Sequence, residues 1–176
     1  MAVHAAARQP AFYTTLGVPD SFDGRFELLV LHAQLVLRRL RAEGKDGADL
    51  AQRLFDILTG HFDEALRAIG VGDMGVGKRI KVMTSAFYGR LSAYDAGLDA
   101  CEPTVLREAL RRNLYGTVPD IGDANLEAVR AYVEATEQRL TEHPFDAIKA
   151  GDGLFPDASV YRPDGDWSRS DTVDTA

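Results

Sequence analysis

One cysteine, Cys101, stands among 176 residues, so no internal disulfide can staple this chain and its fold must rest on an apolar core. Cations are in deficit. Twenty Lys and Arg face 27 Asp and Glu, a net charge of −7, which removes attraction to nucleic-acid phosphates as a default and gives no expectation of DNA binding. Long apolar runs are missing too. The most hydrophobic stretch, 28–40, is interrupted by His32 and Gln34 and closed by Arg38, Arg39 and Arg41, well short of the roughly 20 residues a spanning helix needs. The N-terminus has no secretory core, because Ala5, Ala6 and Ala7 run directly into Arg8, Gln9 and Pro10. A cytoplasmic protein is expected, with any membrane contact peripheral at the inner membrane. Finally, no segment alternates with a two-residue period, which excludes a half-buried sheet.

What is present is helical periodicity. The chain is 45% hydrophobic, enough for one sizeable core. Five stretches carry the pattern. Residues 26–42 are apolar on nearly every side, as in a central helix packed all round. Residues 48–69 place Leu50, Leu54, Ile57, Leu58, Phe62, Ala65, Leu66 and Ile69 on one stripe, with a bend expected at Thr59 and Gly60. Residues 76–98 carry a seam through Val76, Ile80, Met83, Phe87, Leu91, Tyr94 and Leu98. Pro103 suits the first position of a fourth helix ending at Gly116, and Asp123 is expected to cap a fifth that His143 and Pro144 stop. The expected fold class is all-α: a single compact multi-helix domain of about five to six helices with an irregular acidic C-terminal tail. The expected organisation is a flexible N-terminus over 1–11, a helical domain over 12–149 and a largely irregular tail over 150–176. That tail holds six aspartates against two arginines, with Phe155, Tyr161 and Trp167 able to pin parts of it to the body.

The stretch from Gly72 to Lys78 imitates a phosphate-binding loop: glycine, four residues, then Gly77 and Lys78. Arg79 stands where that loop needs a magnesium-binding hydroxyl, and the preceding residues read as a helix where the loop needs a strand. A helix-to-helix turn is the preferred reading, and a nucleotide-binding protein remains the alternative. Lys78, Arg79 and Lys81 follow in the early turns of the next helix, where the macrodipole disfavours cations. They suggest a surface for an acidic partner or an anionic lipid headgroup; an equally weighted reading has neighbouring acids neutralise them, and a ribosome- or RNA-binding module is a further alternative. Phe87 and Tyr94 read as core, whereas Tyr88 and Arg90 fall off the seam and are better placed to meet a partner. Arg38, Arg39, Arg41, Arg107, Arg111 and Arg112 read mostly as ordinary cations near helix C-termini.

Nothing recommends catalysis. His4, His32, His61 and His143 lie far apart in sequence, and His61 with Glu64 is a single reversed copy of a carboxylate–histidine pair that di-iron bundles need twice. His32, on an apolar helix, reads as a hydrogen-bonded core histidine. Ser85, Ser92 and Cys101 lack an evident activating neighbour. No cofactor and no metal are expected.

Several ordered motifs converge on one family. Phe12-Tyr13, Leu16-Gly17-Val18-Pro19-Asp20, Asp23-Gly24-Arg25-Phe26, Leu31-His32, Arg38-Arg39-Leu40, Val71-Gly72-Asp73, Val76-Gly77-Lys78 and Ala86-Phe87-Tyr88-Gly89-Arg90 with Tyr94 together resemble the ubiquinol-cytochrome c chaperone family over residues 12–145. The resemblance implies a helical, non-catalytic assembly chaperone for the cytochrome bc1 complex. It implies as partners a cytochrome b-like membrane client, a small partner protein and the translating ribosome. The absence of a mitochondrial presequence makes the chain look like a bacterial relative. Asp23, Arg25, Asp73, Lys78, Tyr88, Gly89 and Arg90 fall in the matching motifs and, with Arg79 and Lys81 from the basic cluster, form the candidate partner-binding set.

Overall fold

The computed structural model describes residues 2–165. Helices α1 (Ala2–Ala7) and α2 (Ala11–Thr14) lead into α3 (Phe22–Arg41), α4 (Gly44–Ala68) and α5 (Asp73–Asp99). Then come α6 (Pro103–Asn113), α7 (Asp123–Glu142), α8 (Phe145–Ala150) and a 3-10 turn at Ala158–Val160. The five long helices are the five periodic stretches, and no strand occurs among the described residues.

Helix α3 is the central element, touching α1, α4, α5 and α7. Its start is set by local chemistry. The Ser21 hydroxyl accepts the Gly24 amide at 3.1 Å, and Asp20 pairs with Arg25 at 2.6 Å. A Cβ on Gly24 would lie 2.0 Å from the Pro19 carbonyl, so only glycine fits there. The far end of α3 is tied by its arginines. Arg38 reaches Asp95 (3.2 Å), Asp99 (2.6 Å) and Glu137 (3.4 Å), while Arg39 donates to the Leu140 carbonyl (2.8 Å) and the His143 carbonyl (3.1 Å). These cations bolt α3 to α5 and to the last turn of α7, a structural role that a helix C-terminus invites. Where α5 crosses α6, a Cβ on Gly97 would sit 2.7 Å from the Leu106 Cα, so glycine sets the approach of the two helices.

Several sequence expectations are revised. Residues 2–11, expected to be flexible, lie within or beside α1 and α2, with Val3, Ala6, Ala7 and Ala11 buried. The first part of the expected tail, 151–165, is irregular in backbone yet packed: Leu154, Ala158 and Tyr161 are buried. The two ends hold each other, because the Gln9 amide donates to the Pro156 carbonyl (3.1 Å) and its oxygen accepts the Ala158 amide (2.7 Å). Phe155 stacks edge-on against His32, and Tyr161 against Tyr132. Trp167 lies outside the described residues. Helix α7 is entered from Gly122, and Asp123, instead of capping it, pairs with Arg111 at 2.8 Å.

His32 is the polar centre of the core. It is wholly buried; its Nδ1 meets the Leu28 carbonyl at 2.7 Å and its Nε2 the Tyr132 hydroxyl at 2.8 Å. The carbonyl can only accept, so Nδ1 carries the proton and Nε2 accepts from Tyr132. Both ring nitrogens are satisfied in this neutral tautomer, which agrees with a pKa lowered by burial to about 4.

Candidate binding cleft

Near the matching motifs an apolar cleft lies between α3 and α5, extended by α1 and α4. Its inner recess, about 310 Å3, lies between Phe22, Phe26 and Glu27 of α3 and Val82, Met83, Ala86 and Arg90 of α5, with Asp23 at its edge. The outer recess, about 540 Å3, shares Phe22, Phe26 and Met83 and continues past Leu29 and Phe62 to Tyr13, Arg25, His4 and His61. The two recesses lie side by side, with Phe22, Phe26 and Met83 lining both. Phe22 is 40% and Val82 63% exposed, and both line the inner recess, where gathered apolar exposure marks an interaction surface.

Its floor is charged, and the charge is paired. Arg90 Nε lies 2.5 Å from Glu27 Oε2, its Nη2 holds the other carboxylate oxygen, and Nη1 donates to the Ala86 carbonyl at 3.2 Å. The guanidinium also sits 5.8 Å from the centre of the Phe26 ring. Burial pushes the Glu27 carboxyl above the usual carboxylate range, and the hydrogen bonds from Arg90 offset only part of that. This bidentate pair fixes α5 against α3 and holds the aromatic wall in place.

At the outer rim, His61 Nδ1 lies 2.7 Å from His4 Nε2, with the rings edge to face at 4.4 Å. One imidazole must donate and the other accept, so the contact needs at most one extra proton on the pair. The His4 pKa is lowered, by burial first and then by His61 and Arg8. Among the described residues no three His, Cys, Asp or Glu side chains come together as a metal site.

The predicted residues divide into two groups. Asp23, Arg25 and Arg90 line the cleft, Arg90 being structural as much as exposed. Asp73, Lys78, Arg79, Lys81, Tyr88 and Gly89 lie along the solvent side of α5. Asp73 is held across the joint by Arg67, which also pairs with Asp63 at 2.6 Å. Lys78, Arg79 and Lys81 are exposed and take part in no ion pair among the described residues. Tyr88 is 56% exposed, leaning on Phe55 and Phe87, and a Cβ at Gly89 would meet nothing within 4 Å. The helix-to-helix joint is shorter than expected and precedes that stretch: α4 ends at Ala68, Gly70 turns with φ +84°, and α5 starts at Asp73, so residues 73–78 are its opening turns. The strand of a phosphate loop is therefore replaced by a helix.

Sequence reasoning missed Phe22, Glu27, Met83 and the His4–His61 contact as cleft elements. Glu27 carried a legible signal, a lone acid in an otherwise apolar helix segment. The histidines carried none, because 57 residues separate them.

Comparison with known proteins points the same way. The chain is 25% identical over 152 residues to ubiquinol-cytochrome-c reductase complex assembly factor 1 of Xenopus laevis, covering 86% of this chain and 72% of that protein. It is 31% identical over 127 residues to mitochondrial protein CBP3 of Saccharomyces cerevisiae, covering 69% of this chain and 37% of the yeast protein. The crystal structure of the Cbp3 homolog from Brucella abortus superposes with a TM-score of 0.79 at 38% identity, covering 89% of this chain and 86% of that one. The model of the family Ubiquinol-cytochrome C chaperone matches residues 14–155, and the chain belongs to that family.

Proposed function

We propose that this protein is a non-enzymatic assembly chaperone for the cytochrome bc1 complex, and that the α3–α5 cleft receives an apolar segment of a cytochrome b-type subunit before its partners arrive. The observation that carries this reading is the cleft itself: exposed Phe22 and Val82 beside the family motifs, over a floor where Arg90 and Glu27 neutralise each other. A trough with those properties can shield an apolar chain segment without setting it against an unpaired buried charge. The names of the relatives support the assembly role, as does the family. No helix among the described residues is long and apolar enough to cross a membrane.

Deletion of the gene in the native host tests the reading. Loss of the b-type haem absorbance of the bc1 complex, restored by the parent chain and not by a Phe22→Asp, Met83→Asp variant, is expected. Unchanged bc1 spectra in the deletion strain would contradict it.

A further inference from the structure

We infer that the first half of α5 is a docking face for an anionic lipid bilayer, which would present the mouth of the cleft to the membrane surface. The inference builds on the chaperone reading and adds a partner of different chemistry. Lys78, Lys81, Val82 and Ser85 stand at i, i+3, i+4 and i+7 of α5, one solvent-facing stripe, with Tyr88 three residues beyond. Along the helix this face extends roughly 15 Å from Lys78 to Tyr88 at 1.5 Å per residue.

Its composition fits a headgroup layer. Three cations, Lys78, Arg79 and Lys81, are exposed and unpaired among the described residues, although acids outnumber bases in the chain as a whole. The nearest acid of the helix start, Asp73, is already engaged by Arg67. The cations lie toward the positive end of the α5 macrodipole, so the fold itself does not favour them, and their field adds to that of the helix end. On the same stripe Val82 is 63% exposed and Tyr88 is 56% exposed. An exposed aliphatic side chain beside Lys and Arg, with a tyrosine at the border, is what an interfacial helix presents to anionic lipid. The far half of α5 carries Asp95 and Asp99 and no cation beyond Arg90, which confines the attraction to the first half. Val82 belongs to both surfaces, since it also walls the inner recess of the cleft. A chain seated on the bilayer through this face therefore opens its apolar trough beside the lipid, where an apolar client segment emerges.

The face would make a poorer RNA platform. Its one exposed ring, Tyr88, leans on Phe55 and Phe87, whereas single-stranded nucleic acid calls for a row of free rings along a basic groove.

Vesicle flotation of the full chain tests the proposal, comparing phosphatidylcholine vesicles with mixed phosphatidylcholine and phosphatidylglycerol vesicles. Binding to the mixed vesicles alone, weakening as salt rises, is expected. Reversing the cluster with Lys78→Glu, Arg79→Glu and Lys81→Glu should lower the partition by roughly 100-fold or more, at about 1 kcal/mol per cation. These side chains are exposed, so circular dichroism of the variant should match the parent. A Val82→Trp variant gives a local readout: its added emission shifts to the blue on the mixed vesicles. No flotation with anionic vesicles, equal flotation of the reversed variant, or retention by RNA or an acidic protein in place of vesicles overturns the proposal. No client is present in this experiment, so its failure contradicts the docking mode alone, whereas unaltered bc1 spectra in the deletion strain contradict the chaperone reading.

Discussion

His32 keeps both its hydrogen bonds only while its ring is neutral, and this makes the core pH-sensitive. The folded chain binds that proton near pH 4, the unfolded chain near 6.5. Between those values the unfolded state holds more protons, so stability is fully present above about pH 6.5 and falls as pH drops toward 4. From pH 7 to pH 5 the loss should be about 2 kcal/mol from this residue. Urea unfolding at both pH values checks it: His32→Leu should remove most of that slope, and an unchanged slope would show that other groups cause it. Arg90 is a second residue with a definite cost. Arg90→Ala strands Glu27, whose side chain is only 9% exposed, and should destabilise by about 3 kcal/mol, whereas the double change to Arg90→Met and Glu27→Leu should recover much of that. His32 is legible in the sequence because a histidine inside an apolar helix has few other fates. Arg90 is not: its position off the α5 seam reads as exposure, while the acid that receives it sits 63 residues away on α3.

Helix α5 contains glycines with opposite meanings. Gly97 faces the backbone of α6, and Gly97→Ala should cost roughly 1–3 kcal/mol in spite of alanine's better helix propensity. Gly89 faces open space, and Gly89→Ala should stabilise the isolated chain by up to about 1 kcal/mol. Thermal unfolding of both variants decides between these signs; if Gly89→Ala instead impairs bc1 assembly while raising the melting temperature, a partner backbone comes close there. The seven-residue seam of α5 is legible from spacing, and Val76, Phe87 and Tyr94 along it are buried. Met83 on the same seam is only half-buried, because periodicity tells which side faces inward and says nothing of where a neighbouring helix leaves that side uncovered. The apolar run of α3 opens at Phe26, and periodicity alone starts the helix there. The cap at Ser21 adds one further turn, and that turn carries Phe22 to the cleft.

At the scale of the molecule, an all-helical body follows from periodicity, whereas the closure of its two ends does not. Gln9, Pro156 and Ala158 meet through hydrogen bonds spanning nearly the whole chain, and local pattern carries no trace of such pairing. Truncation after residue 150 should therefore destabilise the body by exposing His32 and Tyr132, where a tail without contacts would be dispensable; calorimetry of chains ending at 150 and at 165 separates the two. The cleft is likewise a property of the assembled bundle, formed where α1, α3, α4 and α5 fail to close over Phe22, Phe26 and Met83. Site-specific photocrosslinking in the native host probes its role most directly, with the crosslinker at Phe22 or Met83 and, as a control, at exposed Val160 outside the cleft. The account predicts adducts to a cytochrome b-type subunit from the two cleft positions and none from Val160. Adducts from all three positions alike, or none to any bc1 subunit, would contradict it.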